Sequence, residues 1–173
     1  VLIYLYKDYG KDMVHKLRGM FAFAIWDENK KELWLVRDRM GIKPLYYTFV
    51  DGKFIFASEI KAILRDPSVK REVNEEGFYH YLSFLTTPPP QTLFQGIYKI
   101  PAGHMLTLSK NGNSKLEQYW DVFDNIKPLY GKEETFYTER LLELLRESVK
   151  LRMISDVPIG VFLSGGIDSS TNT

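Results

Sequence analysis

Met20-Phe21-Ala22-Phe23-Ala24-Ile25-Trp26, then Asp27-Glu28-Asn29-Lys30-Lys31, then Glu32-Leu33-Trp34-Leu35-Val36 is the stretch whose reading decides the fold. Apolar runs with aromatics on alternate positions, split by a polar turn, predict two paired strands. Upstream the period is helical. Leu2, Ile3, Leu5 and Tyr6 share a helix face that Gly10 can end, and Lys11 to Leu17 predicts a second short helix before Gly19. Downstream, Leu45 to Val50 and Lys53 to Ala57 flank Asp51-Gly52, the pair that favours a type I′ hairpin. Four strands in meander order predict one antiparallel sheet. Phe21, Phe23 and Trp26 are read as sheet core or flank.

Further along, Ser58 with Glu59 reads as an N-cap and acidic first turn of a helix to about Leu64. Asn74, Glu75 and Glu76 start another, which ends before Pro88-Pro89-Pro90. His104 to Ser109 and Lys115 to Trp120 predict a second hairpin around Asn111-Gly112. A linker is expected over roughly Asp121 to Lys132, carrying Pro128 and Gly131, with the domain boundary there. An amphipathic helix is predicted from about Glu134 to Met153, with Leu141, Leu142, Leu144, Leu145 and Val149 on or near its apolar face. The run Ile159 to Leu163 suits a strand buried on both faces, as in a parallel sheet.

Composition narrows the function. The 173 residues are 45% hydrophobic and 14% aromatic, the profile of a globular chain. A net charge of +1 offers no basic excess for a phosphate backbone, so nucleic acid is not an expected partner. The apolar runs Met20–Trp26 and Val157–Leu163 hold seven residues each, against about 18 for a membrane helix. The opening Val1-Leu2-Ile3-Tyr4-Leu5-Tyr6 lacks the basic region of a signal peptide, and without an initiator Met the natural start is expected upstream. Cysteine is absent, which removes a thiol nucleophile and thiolate metal sites from these residues. His15, His80 and His104 are scattered and read as structural. A cytoplasmic location fits.

The strongest chemical signal is Ser164-Gly165-Gly166-Ile167-Asp168-Ser169-Ser170, directly after the predicted buried strand. Paired glycines let backbone N–H groups approach an anion without Cβ obstruction. Ser164 and Ser169 offer hydroxyl donors, and a helix starting near Asp168 would aim its free N–H groups at the same anion. Asp168 supplies a hard oxygen for Mg²⁺. The competing reading is a plain strand–turn–helix connection with Asp168 or Ser169 as N-cap. Neither GxxxxGK[ST] nor GxGxxG occurs.

Val157 to Ser170 resembles the ATP-pyrophosphatase (PP-loop) signature of asparagine synthetases. The resemblance implies that Ser164, Gly165, Gly166 and Ser169 contact the pyrophosphate part of ATP, that Asp168 binds Mg²⁺, and that Leu163 lies near the nucleotide. Arg18 to Asp27, Arg37-Asp38-Arg39-Met40-Gly41-Ile42-Lys43-Pro44-Leu45-Tyr46-Tyr47 and Ala57 to Ala62 resemble class II glutamine amidotransferases. Leu93 to His104 with Tyr119-Trp120 resembles the bridge to the synthetase part. Arg37, Asp38, Gly41 and Lys43 are read as scaffold beside a site.

The implied fold class is α+β / α/β. A partial αββα N-terminal-nucleophile-type sandwich (1–120) is followed by a linker (121–133) and by the first helix, strand and PP-loop of a parallel-sheet ATP-pyrophosphatase domain (134–173). The implied activity is that of an asparagine synthetase fragment. Its substrates would be aspartate, glutamine or ammonia, and ATP, with β-aspartyl-AMP as intermediate; a homodimer is among the assemblies it allows. A β-lactam synthetase, a lasso-peptide cyclase or a sugar-amidating enzyme shares the plan, and a non-catalytic binding module is the reading of another class. The family's nucleophilic Cys is placed upstream of Val1, so these residues alone are expected not to hydrolyse glutamine.

Overall fold

The computed structural model of the chain describes residues 1–124, 126 and 131–172. It divides into two compact units, 1–125 and 126–173.

The first unit opens with α1 (Leu2–Tyr9), closed by Gly10 at φ 57°, and a 3₁₀ turn (Gly10–Lys16). Then come β1 (Ala22–Asp27) and β2 (Glu32–Arg37), β3 (Tyr46–Val50) and β4 (Lys53–Ala57), α2 (Ile60–Ile63) and α3 (Glu75–Phe84). β5 (Ile97–Lys99), β6 (His104–Ser109) and β7 (Ser114–Gln118) complete it. The Asp51-Gly52 turn has φ of 49° and 72°, the positive pair a type I′ hairpin requires.

The expected single meander does not form. All pairing is antiparallel, but the strands divide into one sheet ordered β1-β2-β6-β7 and another ordered β4-β3-β5. β2 pairs with β6, Trp34 opposite Thr107, and not with β3. Between β2 and β3 lies a corner of eight residues, 38–45, far from a two-residue hairpin, and it carries the chain from one sheet to the other. Side-chain alternation then fixes the layers. Trp34 and Val36 face one way, packing with Met13, Val14 and Tyr119 beneath α1 and the 3₁₀ turn. Leu33 and Leu35 face the other way and meet Leu45, Tyr47, Phe54 and Ile100. That cluster joins the sheets face to face. On the far side of the second sheet, Tyr46, Val50, Ile55 and Ile97 pack on Ile60 and Ile63 of α2. The result is a four-layer αββα sandwich, as the resemblance implies.

One local expectation is corrected. The residue flanking α2 is Glu59, extended at φ −135°, and Ser58 is not the cap. Of the aromatics read as sheet core or flank, Phe21 and Phe23 join the core cluster and Trp26, in β1, is half exposed at 51%. Asn74 does cap α3, accepting a bond of 3.0 Å from Gly77 N–H.

The second unit holds α4 (Glu134–Arg152) and α5 (Ile167–Asn172). None of the α4 side chains is buried. The predicted buried strand at Ile159–Leu163 is a further correction. Among the described residues it pairs with no neighbour, and Phe162 is fully exposed. A parallel strand takes its hydrogen bonds and both its covered faces from flanking elements, and the described residues of this unit supply no flanking strand. Pro128 of the expected linker lies outside the described residues; Gly131 is in a turn at φ 75°. No helix among the described residues is long and apolar enough to cross a membrane.

Candidate functional site

In the second unit the bend Ser164–Ser170 is closed by its own hydroxyls. Ser164 Oγ and Ser169 Oγ lie 2.9 Å apart, and Ser164 Oγ accepts from Gly166 N–H at 3.4 Å. Ser169 Oγ also donates to the Gly166 carbonyl at 3.1 Å. Gly165 sits at φ 82°, a left-handed conformation that glycine adopts without Cβ strain. A Cβ built on Gly166 would point between the two serines, 3.5 Å from Ser164 Oγ and 4.0 Å from Ser169 Oγ. Gly166 thus leaves no side chain against the two serine hydroxyls. α5 starts at Ile167 with Asp168 in its first turn. The bend thus brings together five of the six predicted site residues: Ser164, Gly165, Gly166, Asp168 and Ser169. Leu163 precedes them and is 60% exposed. Among the described residues no three His, Asp or Glu side chains converge as a ready-made metal cage, so any Mg²⁺ held here would lean on Asp168 and on ligand oxygens, a common arrangement for that ion.

In the first unit the Arg37–Lys43 corner is a closed hydrogen-bond network. Asp38, 1% exposed, accepts backbone N–H bonds from Met40 (3.1 Å), Ile42 (3.0 Å), Lys43 (2.9 Å) and Phe21 (3.3 Å). Arg37 donates to the carbonyls of Lys43 (2.8 Å), Ile100 (2.6 Å) and Gly41 (2.7 Å). Gly41 stands at φ 64°, where a Cβ would meet Ala102 Cβ at 3.1 Å and the Arg37 guanidinium carbon at 3.2 Å. Both charged side chains thus spend their hydrogen bonds on main chain. This corner builds the sheet-to-sheet crossing.

Tyr119 ties the corner to the end of β7. Its hydroxyl donates to the Arg37 carbonyl at 2.8 Å, and its ring meets His15 edge-on at 6.2 Å. Burial, reinforced by the Asp38 carboxylate, pushes the Tyr119 hydroxyl from its usual 10 up to about 12. A raised folded-state value means that its stabilisation is full below about pH 10 and is lost as pH climbs through about 12. The shift amounts to roughly 2–3 kcal/mol in all. Wild type is expected to exceed Tyr119→Phe by about 1 kcal/mol near pH 8, from the hydrogen bond. Urea unfolding at a series of pH values should show that margin vanish between about pH 10 and 11. A constant margin would show that the hydroxyl does not titrate as the fold requires.

His80 lies 3.9 Å from Glu76 and stacks on Phe84, and His104 Nδ1 is 2.7 Å from the Ala102 carbonyl. Sequence reasoning missed the carbonyl set gathered by Arg37, because backbone acceptors leave no mark in a residue pattern.

Comparison with known proteins settles the family. The glutamine amidotransferase domain matches residues 1–120. The chain belongs to the glutamine amidotransferase family. The asparagine synthase family matches residues 140–171, which include the serine–glycine bend. Over 100% of this chain, it is 40% identical to "Asparagine synthetase [glutamine-hydrolyzing] 3" of Bacillus subtilis (strain 168). Over 99% it is 36% identical to "Putative asparagine synthetase [glutamine-hydrolyzing] 2" of Methanocaldococcus jannaschii. It is also 39% identical, over 99% of its length, to "Amidase chry2" of Gibberella zeae. The chain spans 28%, 33% and 25% of those three proteins respectively.

Proposed function

We propose that the whole protein containing these residues is a cytoplasmic ligase. It makes asparagine from aspartate, glutamine and ATP through β-aspartyl-AMP, releasing AMP and pyrophosphate. In this reading residues 1–120 belong to the glutaminase part, 121–133 link, and 134–173 begin the ATP-pyrophosphatase part. One observation carries it: the bend in which the Ser164 and Ser169 hydroxyls meet beside the side-chain-free Gly166, followed at once by α5. Backbone N–H groups of 165–167 and the two hydroxyls suit the oxygens of a leaving pyrophosphate. Leu163 would lie beside the nucleotide. Asp168 would hold magnesium, which when bound supplies positive charge to the phosphate oxygens. The chain's own part is to orient the triphosphate so that its α-phosphorus faces the attacking carboxylate.

The amidase relative favours a second reading, in which the same activation serves a different carboxylate and yields a different amide. Exchange of labelled pyrophosphate into ATP by the full-length protein separates the readings. Exchange that requires aspartate is expected. Exchange with another carboxylate in place of aspartate would transfer the activity to the second reading. No exchange with any carboxylate would leave a binding module and sink the proposal.

A further inference from the structure

Lys99 closes β5 opposite Tyr46 of β3, on the sheet face that carries Ile97 and Ile60. Its ammonium donates to the Thr87 carbonyl and, at 3.0 Å, to the Thr87 hydroxyl. A lysine ammonium has three N–H donors, and these two bonds use two of them. No carboxylate among the described residues comes within 4.0 Å of it. Burial, and secondly the charge of the Arg37 guanidinium, holds Lys99 below the ordinary lysine range. A half-buried cation in the field of a second cation, with no described carboxylate within 4.0 Å, is costly unless something neutralises it.

Beside this ammonium lies an open groove of ≈ 310 Å³, with Ile60, Leu85 and Phe94 among its apolar walls and the hydroxyl-bearing Thr86, Thr87 and Thr92 beside Lys99. That volume is at the small end of ligand-binding cavities, and apolar walls with one or two convergent polar groups are their usual make-up. We propose that this groove binds a small organic carboxylate bearing an apolar group, its oxygens on the Lys99 ammonium and its apolar part against Leu85 and Phe94. The Thr87 and Thr92 hydroxyls already donate to main-chain carbonyls, which leaves one monovalent cation in the groove and matches a monoanion. A phosphate dianion would instead need several donors, such as those gathered at Ser164–Ser169. The groove shares no residue with the proposed nucleotide bend, so the two proposals stand or fall independently.

The test is titration of the full chain with 3-methylbutanoate and with phenylacetate, followed by amide NMR. Saturable shifts at Leu85, Phe94 and Lys99 are expected, with none for inorganic phosphate or for neutral 3-methylbutanamide. Lys99→Met should weaken carboxylate binding by about tenfold or more, and Lys99→Arg by about threefold at most. In the unaltered protein, the titration midpoint of the Lys99 side chain, followed at its ε-carbon, should move upward on saturation. That readout decides the matter if Lys99→Met fails to fold. Absence of saturable shifts, equal binding of the amide, phosphate binding in place of the carboxylates, or an unmoved Lys99 midpoint would each overturn the proposal.

Discussion

Replacing Asp168 by Ala in the full-length protein is expected to lower ATP–pyrophosphate exchange by about 10³-fold, while glutamine hydrolysis stays within about twofold. The factor corresponds to about 4 kcal/mol, the scale of charge stabilisation that a bound divalent ion gives a transferring phosphoryl group. The local structure makes the test clean. Asp168 is exposed in the first turn of α5, and its side chain makes no hydrogen bond or ion pair with any described residue. Its removal therefore leaves no buried partner stranded, and the fold should lose little stability. The bend itself is closed by Ser164, Gly166 and Ser169, which the substitution does not touch. Asp168→Glu keeps the carboxylate but moves it by one methylene, so partial exchange is expected from it. Exchange at the wild-type rate in Asp168→Ala would remove this residue from the magnesium role.

The Asp38→Ala protein is expected to lose about 3–5 kcal/mol of stability, the cost of stripping a buried charge from groups that depend on it. Four backbone N–H groups, from Phe21, Met40, Ile42 and Lys43, would lose the buried carboxylate that accepts from them. The loss compares with a whole-domain stability of about 5–15 kcal/mol. It should appear as a fall in Tm of roughly 10 °C or more. Asp38→Asn keeps the shape but turns one acceptor oxygen into a donor facing N–H groups, so it should recover only part of the loss. Thermal unfolding of the three proteins checks the order. A Tm for Asp38→Ala within about 2 °C of wild type would mean that the corner is held by something other than this carboxylate.

Much of the chain could be read from its residues because the deciding interactions are local. Asp51-Gly52 forces its hairpin through positive φ at both central residues. Asn111-Gly112 sits at the turn between β6 and β7, and Ser109 Oγ bonds the Asn111 side chain at 2.6 Å. Asn74 caps α3 by a bond that spans three residues. The Ser164–Ser169 bend closes within six residues, so its glycines and serines announce it before any tertiary contact forms.

Other features stayed hidden. β5 is a three-residue strand whose identity comes from pairing with β3, about fifty positions earlier. The sheet-to-sheet crossing depends on where the Arg37 side chain finds carbonyls, one of them at Ile100. Tyr119 reads in sequence as part of a bridge; in the fold its hydroxyl holds the Arg37 carbonyl, 82 positions away in sequence.

Alternation, turn chemistry and glycine placement, all written within a few neighbouring residues, were enough to specify the hairpins, the longer helices and the serine–glycine bend. Tertiary structure alone decided which hairpin joined which sheet, left Ile159–Leu163 unpaired among the described residues, and set Lys99 in the field of Arg37 with no carboxylate of a described residue within 4.0 Å of its ammonium. The reason is reach. A dihedral preference acts on its own residue, whereas a sheet partner or a counter-charge is supplied by whatever distant segment the folded chain brings alongside.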